Sequence, residues 1–222
     1  MSKIYIIAAT EYEIIPTLQF LEADFNKKSF FEYEKNGVSI FPLVTGVGSM
    51  MTAFAISRIK EISAATLILN AGVAGSFEAD WELGKVVEVV EDRFADLGVE
   101  EADGSLTDLF ELELMESSQF PYVDGWIKIA DQTQLDNARG ITVNKVHGTA
   151  ASIEAIKAKY NPQIESMEGA AFMYAAKVMN IPALQLRAIS NRVEPRNKDH
   201  WELELAINNL NNAVIKLLKH QI

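Results

Sequence analysis

The chain contains no cysteine, which excludes a disulfide framework, a thiolate metal site and a cysteine nucleophile. Such a chain suits a reducing cytoplasm. Histidine is almost as scarce: His147, His200 and His220 are the only three. Their spacing is not that of metal ligands, which leaves them solvated or packing roles, and neither a metal nor a cofactor is expected. Long apolar runs are also missing. The N-terminal MSKIYIIAATEYEI has a short apolar stretch with carboxylates directly behind it, which is neither a signal peptide nor a membrane span. It reads as a first strand. Positive charge is in deficit, with 20 Lys and Arg against 31 Asp and Glu and a formal net charge of −11. That balance repels nucleic acid and anionic membranes at long range, so neither is expected as a partner. A local basic pocket can still hold a small anion.

What is present suits a folded globular domain. With 222 residues and 49% hydrophobic content, the chain can bury a substantial core as one domain, 1–222. Ile4 to Ala9 reads as a strand running into a helix at TEYEI. Phe30 to Lys35 and Val38 to Val44 flank Asn36-Gly37, a hairpin turn in which both residues accept positive φ. A helix is expected from about Met50 to Glu61, then a buried strand from Thr66 to Leu69 ending in NAGVAGS. Lys85 to Val90 and Gly140 to Val143 read as strands, Ser152 to Lys159 and Met167 to Met179 as helices. Ala183 to Ile189 is the last strand, and a helix from about Lys198 to Lys219 closes the chain. The acidic, turn-rich segment from Glu91 to Gln119 reads as a long excursion or lid. Buried strands separated by helices predict an α/β fold with helices on both faces of a sheet.

In open α/β sheets ligands bind at the carboxyl ends of strands. There the sequence places Glu11 and Glu13, Gly46 and Gly48, Asn70 and Gly72, and finally Ser190 and Asn191. A carboxylate just after a strand also suits a helix first turn, where the dipole favours it. GVGSM lacks the third glycine of a dinucleotide fingerprint and the lysine of a P-loop, and reads as a tight turn. In ESMEGAAF, Glu168 sits beside Met167 near a helix start, with small residues following. No Ser-His-Asp arrangement can be assembled.

Taken in order, AATEYEI, TGVGSMMTA, LNAGVAGSF, ESMEGAAF and LRAISN resemble the nucleoside phosphorylase and nucleosidase superfamily over almost the whole chain. RAISNRVEPRN followed by Trp201 is most similar to its futalosine hydrolase branch. The resemblance implies a central mixed twisted sheet, a small nucleoside substrate, a homo-oligomer (dimer or larger) and a step in menaquinone biosynthesis that releases hypoxanthine. It also implies that Glu13 activates the attacking water. Glu168 would accept bonds from ribose hydroxyls and Met167 would pack on the sugar. Gly46, Gly48, Gly72 and Ser190 would line the substrate site, and Asn191 would face the purine where adenine-specific relatives carry Asp. Ser166 departs from relatives with Glu at that position. The phosphate-binding arginine and serine of phosphorylases would fall at Asn70 and Val73, which favours water over phosphate. Arg192, Arg196 and Lys198 are candidates for meeting a carboxylate on the substrate. An adenine-releasing nucleosidase, a phosphorylase and a silent nucleoside-binding protein are the alternatives.

Overall fold

The computed structural model describes residues 2–221; Met1 and Ile222, the ends of the expected domain, lie outside the described residues. In chain order the elements are β1 (Ser2–Ala8), a 3₁₀ turn (Glu11–Ile14), α1 (Ile15–Asp24), β2 (Asn26–Ser29), β3 (Glu32–Lys35), β4 (Val38–Val44) and α2 (Ser49–Ser57). There follow β5 (Leu67–Ser76), β6 (Val86–Phe94), β7 (Gly98–Glu100), β8 (Leu106–Asp108), β9 (Tyr122–Val123), β10 (Trp126–Lys128) and β11 (Asn137–Thr142). The chain continues with α3 (Ala150–Tyr160), β12 (Ile164–Ser166), α4 (Gly169–Val178), β13 (Ala183–Arg192) and α5 (Leu203–Gln221).

The mixed sheet closes on itself. β5 pairs parallel with β13, β13 antiparallel with β6, β6 parallel with β11, β11 parallel with β12, and β12 antiparallel with the end of β5. An arm of β1, β4, β3 and β2 extends from the first half of β5. Both faces of β1 are covered, as its continuous apolar run requires. Ile4, Ile6 and Ala8 join a core with Leu21 of α1 and Leu210, Val214 and Leu218 of α5. Tyr5 and Ile7 join another with Ile56 of α2 and Phe172, Met173 and Ala176 of α4. Each such isoleucine or leucine contributes on the order of 1.5–3 kcal/mol through burial.

Several elements depart from expectation. NAGVAGS is not a loop after a strand but the second half of β5, because its small residues pack against β13 and β12. β13 continues through Asn191 and Arg192, with an irregular register between Ile189 and Asn191. The helix expected from Met167 starts at Gly169, and the one expected from Lys198 starts at Leu203 after a 3₁₀ turn. Glu91 to Phe94 belong to β6. The segment expected to be a lid is pinned down: Arg93 Nη2 donates to Asp108 Oδ2 at 2.7 Å, Tyr160 OH donates to the same oxygen at 3.0 Å, and the Arg93 guanidinium stands 4.0 Å from the Tyr160 ring centroid. The Asn36-Gly37 turn is as expected, with φ of 52° and 81° joining β3 to β4.

Candidate active site

Glu13 lies in the 3₁₀ turn that follows β1. Thr10 and Glu13 form a reciprocal capping box, in which Glu13 Oε2 accepts from Thr10 N at 2.9 Å and from Thr10 Oγ1 at 3.0 Å. Its other oxygen reaches across to β5 and accepts from Val73 N at 3.2 Å. The carboxylate is therefore both a cap and a buried group, 8% exposed, held at three points.

The second carboxylate arrives from the far side. Glu168 precedes α4 and is 5% exposed. Its Oε1 accepts from Gly48 N at 3.0 Å, and Ser49 Oγ donates to the Met167 carbonyl at 3.3 Å. Gly48 has a φ of 100°, a conformation that L side chains rarely adopt, so a glycine is what turns this N–H toward Glu168. Gly46 donates to the Ala9 carbonyl at 3.0 Å and ties the same loop to the end of β1.

Between the two carboxylates lies Arg187, a residue that the motifs did not single out. It faces Gly72 across the β5–β13 ladder and is 1% exposed. Its Nη2 donates to Asn70 Oδ1 at 2.6 Å, and its Nη1 lies 3.4 Å from both the Val73 carbonyl and Glu168 Oε2. A Cβ on Gly72 would overlap Arg187 Nη1 and stand 3.0 Å from Glu13 Oε1. The absence of a side chain at residue 72 is what lets the guanidinium and the Glu13 carboxylate converge. A buried cation must be paired, and here Asn70 and Glu168 pair it. Both ends of the Asn70 amide are engaged, since its Nδ2 also donates to the Ile7 carbonyl at 3.1 Å.

A cavity opens beside this centre, lined by Gly75, Val146, His147, Glu165, Asn191 and Trp201 among others. Gly75 lies two residues beyond Val73 on β5, so the cavity starts about 7 Å from the carboxylates at the usual rise of a strand. The Ser190 hydroxyl donates to Asn191 Oδ1 at 2.8 Å and lies 3.3 Å from the Ala74 carbonyl. Asn191 Nδ2 donates to the Arg192 carbonyl at 2.8 Å, which leaves one amide hydrogen free. His147 is not a solvated residue. Its Nδ1 is hydrogen-bonded to Glu165 Oε2, and its backbone N–H donates to Glu165 Oε1 at 3.0 Å. Arg192 is engaged with the carbonyls of Glu78 and Trp81. Arg196 stacks on Trp201, 5.2 Å from a ring centroid.

Thus the structure brings Glu13, Gly48, Gly72, Glu168 and Met167 into one centre, with Gly46 tying its loop to β1, and places Ser190 and Asn191 at the adjoining cavity. Ser166 turns its hydroxyl to the Gly169 N–H at 3.3 Å, a local helix-start bond. Among the described residues no group of three or more His, Asp or Glu could hold a metal ion, and no helix is long and apolar enough to cross a membrane.

Comparison with known proteins agrees with this architecture. The phosphorylase superfamily matches residues 3–221. A futalosine hydrolase of Thermus thermophilus is 31% identical over 188 residues, covering 83% of this chain and 84% of its own length. Another from Streptomyces coelicolor is 34% identical over 154 residues, covering 68% and 64% respectively. The structure of futalosine hydrolase from Helicobacter pylori superposes with a TM-score of 0.80 at 15% identity, covering 99% of this chain and 98% of that one, a likeness of fold. The chain belongs to the phosphorylase superfamily and, within it, to the futalosine hydrolase family.

Proposed function

We propose that this chain is a purine nucleosidase that hydrolyses the N-glycosidic bond of futalosine, releasing hypoxanthine and dehypoxanthine futalosine in menaquinone biosynthesis. The observation that carries the reading is the convergence of Glu13 and Glu168 on Arg187 over Gly72. Breaking a purine N-glycosidic bond builds positive charge on the ribose, and fixed carboxylates in a water-poor site stabilise it. Glu13, anchored at three points, removes a proton from the attacking water. Glu168 accepts from the ribose hydroxyls, with Met167 against the sugar and the backbone at Gly46, Gly48 and Gly72 shaping the floor. Arg187 holds Glu168 in place from the far side.

Water is favoured over phosphate because the one guanidinium at the centre has Asn70, Glu168 and the Val73 carbonyl as its partners. The purine occupies the adjoining cavity, where Ser190 holds the Asn191 carbonyl oxygen and leaves an amide hydrogen for the acceptor O6 of a 6-oxopurine. Trp201 and Val146 offer apolar surface to its faces. The protein works in the cytoplasm as a homo-oligomer, a dimer or larger. The test is incubation with futalosine in phosphate-free buffer: hypoxanthine and a sugar with a free anomeric hydroxyl are expected. A ribose 1-phosphate formed only with added phosphate, or adenine release from methylthioadenosine in preference, would replace this reading with a phosphorylase or an adenine-specific nucleosidase.

A further inference from the structure

Glu13 accounts for the nucleophile, but the leaving purine needs a proton, and Asn191 has none to give. The cavity holds one other ionisable pair inside its wall. Glu165, on β12, is 4% exposed and receives both the backbone N–H and the Nδ1 of His147. An ionised carboxylate only accepts, so Nδ1 carries its hydrogen toward Glu165. The second ring nitrogen, Nε2, is then the one left for another partner. His147 Nε2 has no partner and is not enclosed among the described residues, and the residue lines the same cavity as Asn191 and Trp201. A carboxylate that fixes one nitrogen of an imidazole and leaves the other facing a substrate cavity is the arrangement of a general acid. The other charged groups of this cavity are Arg192, Glu194 and Arg196, from the loop after β13. Arg192 is turned to the Glu78 and Trp81 carbonyls, and Glu194 is bound to His200 at 2.6 Å.

We propose that His147, held by Glu165, is the catalytic acid that protonates the departing 6-oxopurine, and that Glu165 is its positioning residue. The proposal rests on the purine nucleosidase reading. As the C1′–N9 bond breaks, its electron pair passes into the purine, and the Nε2 proton of the imidazolium is transferred to N7. Water, giving a proton to Glu13, adds to C1′. The base leaves neutral, the sugar gains a hydroxyl, and solvent returns a proton to His147 and takes one from Glu13.

The test compares futalosine with its N7-methylated derivative, whose base is already cationic and departs without a proton. The His147→Ala variant should lose about 10²–10⁴-fold in kcat on futalosine and less than about tenfold on the methylated substrate, for which the smaller side chain also makes room. Glu165→Gln should show the same pattern more weakly and lose the limb of the pH–rate profile that belongs to the acid. Equal losses on both substrates would make the pair a structural clamp and overturn the proposal, as would full activity of His147→Ala on futalosine. A folded-state check needs no variant: with three histidines in the chain, the ¹⁵N resonance of His147 Nε2 in the wild type should move when hypoxanthine binds, and an unmoved resonance rejects the contact. Wild-type protein that releases no purine at all would instead defeat the nucleosidase reading beneath it.

Discussion

Glu13 accepts three hydrogen bonds, from Thr10 N, Thr10 Oγ1 and Val73 N. Replacing it by glutamine puts an NH₂ against a backbone N–H on whichever side it lies, and an unsatisfied buried donor costs about 1–3 kcal/mol. Glu13→Gln is therefore expected to lose about that much unfolding free energy and about 10²–10⁴-fold in kcat, with nucleoside binding largely kept. Calorimetry, single-turnover rates and equilibrium binding separate the three effects, and normal turnover removes Glu13 from the mechanism. Asn191 supports a second prediction. In Asn191→Asp the Ser190 hydroxyl still has an acceptor, but the Arg192 carbonyl and the purine O6 would both meet a carboxylate oxygen. Activity on futalosine should fall by roughly ten- to a hundredfold, the equivalent of about 1–3 kcal/mol, while the 6-amino counterpart gains ground; an unchanged preference shows that Asn191 does not read the base. At this scale Glu13 and Glu168 were legible because one follows a strand and the other stands at a helix start, and Asn191 because it interrupts an apolar run. Arg187 was not, because it sits inside the apolar run ALQLRAIS and reads as part of a strand. The signal was there in physical terms: a charge within a buried strand must have a partner, and Glu168 was available.

The closed part of the sheet carries a polar interior that shapes the elements around it. Asp92 of β6 is fully buried, with Thr142 Oγ1 donating to Oδ1 at 2.9 Å and Gln185 Nε2 to Oδ2 at 3.0 Å. Loss of solvation pushes its carboxyl up to about 6, against the pull of these donors and of Arg187. A raised carboxyl stabilises the fold fully below its unfolded value, and that contribution is lost as pH rises through about 6. Asp92→Asn keeps the Thr142 bond, and Gln185 can turn its amide to offer Oε1, which has no partner now. The stability of the variant relative to wild type should rise by on the order of 1–3 kcal/mol between pH 4 and pH 7, read as the difference of the two unfolding free energies. A difference that is flat with pH means Asp92 does not titrate in the native state over that range. An element with a clear period, such as α5, or with a continuous apolar run, such as β1, was readable. β12 was not, because three residues carry no period, and nothing in the sequence singles out its Glu165. The Glu91–Gln119 segment misled because its order comes from Arg93, Asp108 and Tyr160, which are far apart in sequence.

Across the whole molecule, apolar side chains collect on one exposed flank. Met50 and Phe54 stand one turn apart on α2, and Tyr174 and Val178 one turn apart on α4; α2 and α4 share the core of Ile56 and Phe172. Tyr174 contacts Tyr122 of β9, next to the exposed Phe120 and Val123. On a chain whose net charge of −11 favours staying apart, these exposed apolar side chains on neighbouring elements support the proposed self-association. The same flank reaches the active centre, since α2 begins beside Gly48, whose N–H holds Glu168. Under the proposed self-association, a partner pressed on α2 would steady the loop that presents this N–H and so couple assembly to catalysis. Sedimentation of the wild type should give at least twice the chain mass of 24.6 kDa. Replacing Met50 and Phe54 by aspartate buries two charges in an interface core and should yield folded monomers at micromolar concentration, with kcat/KM for futalosine reduced at least about tenfold, a loss of roughly 1.4 kcal/mol. A monomeric wild type would remove the assembly, and monomeric variants of undiminished activity would show that the flank assembles the protein without supporting Glu168.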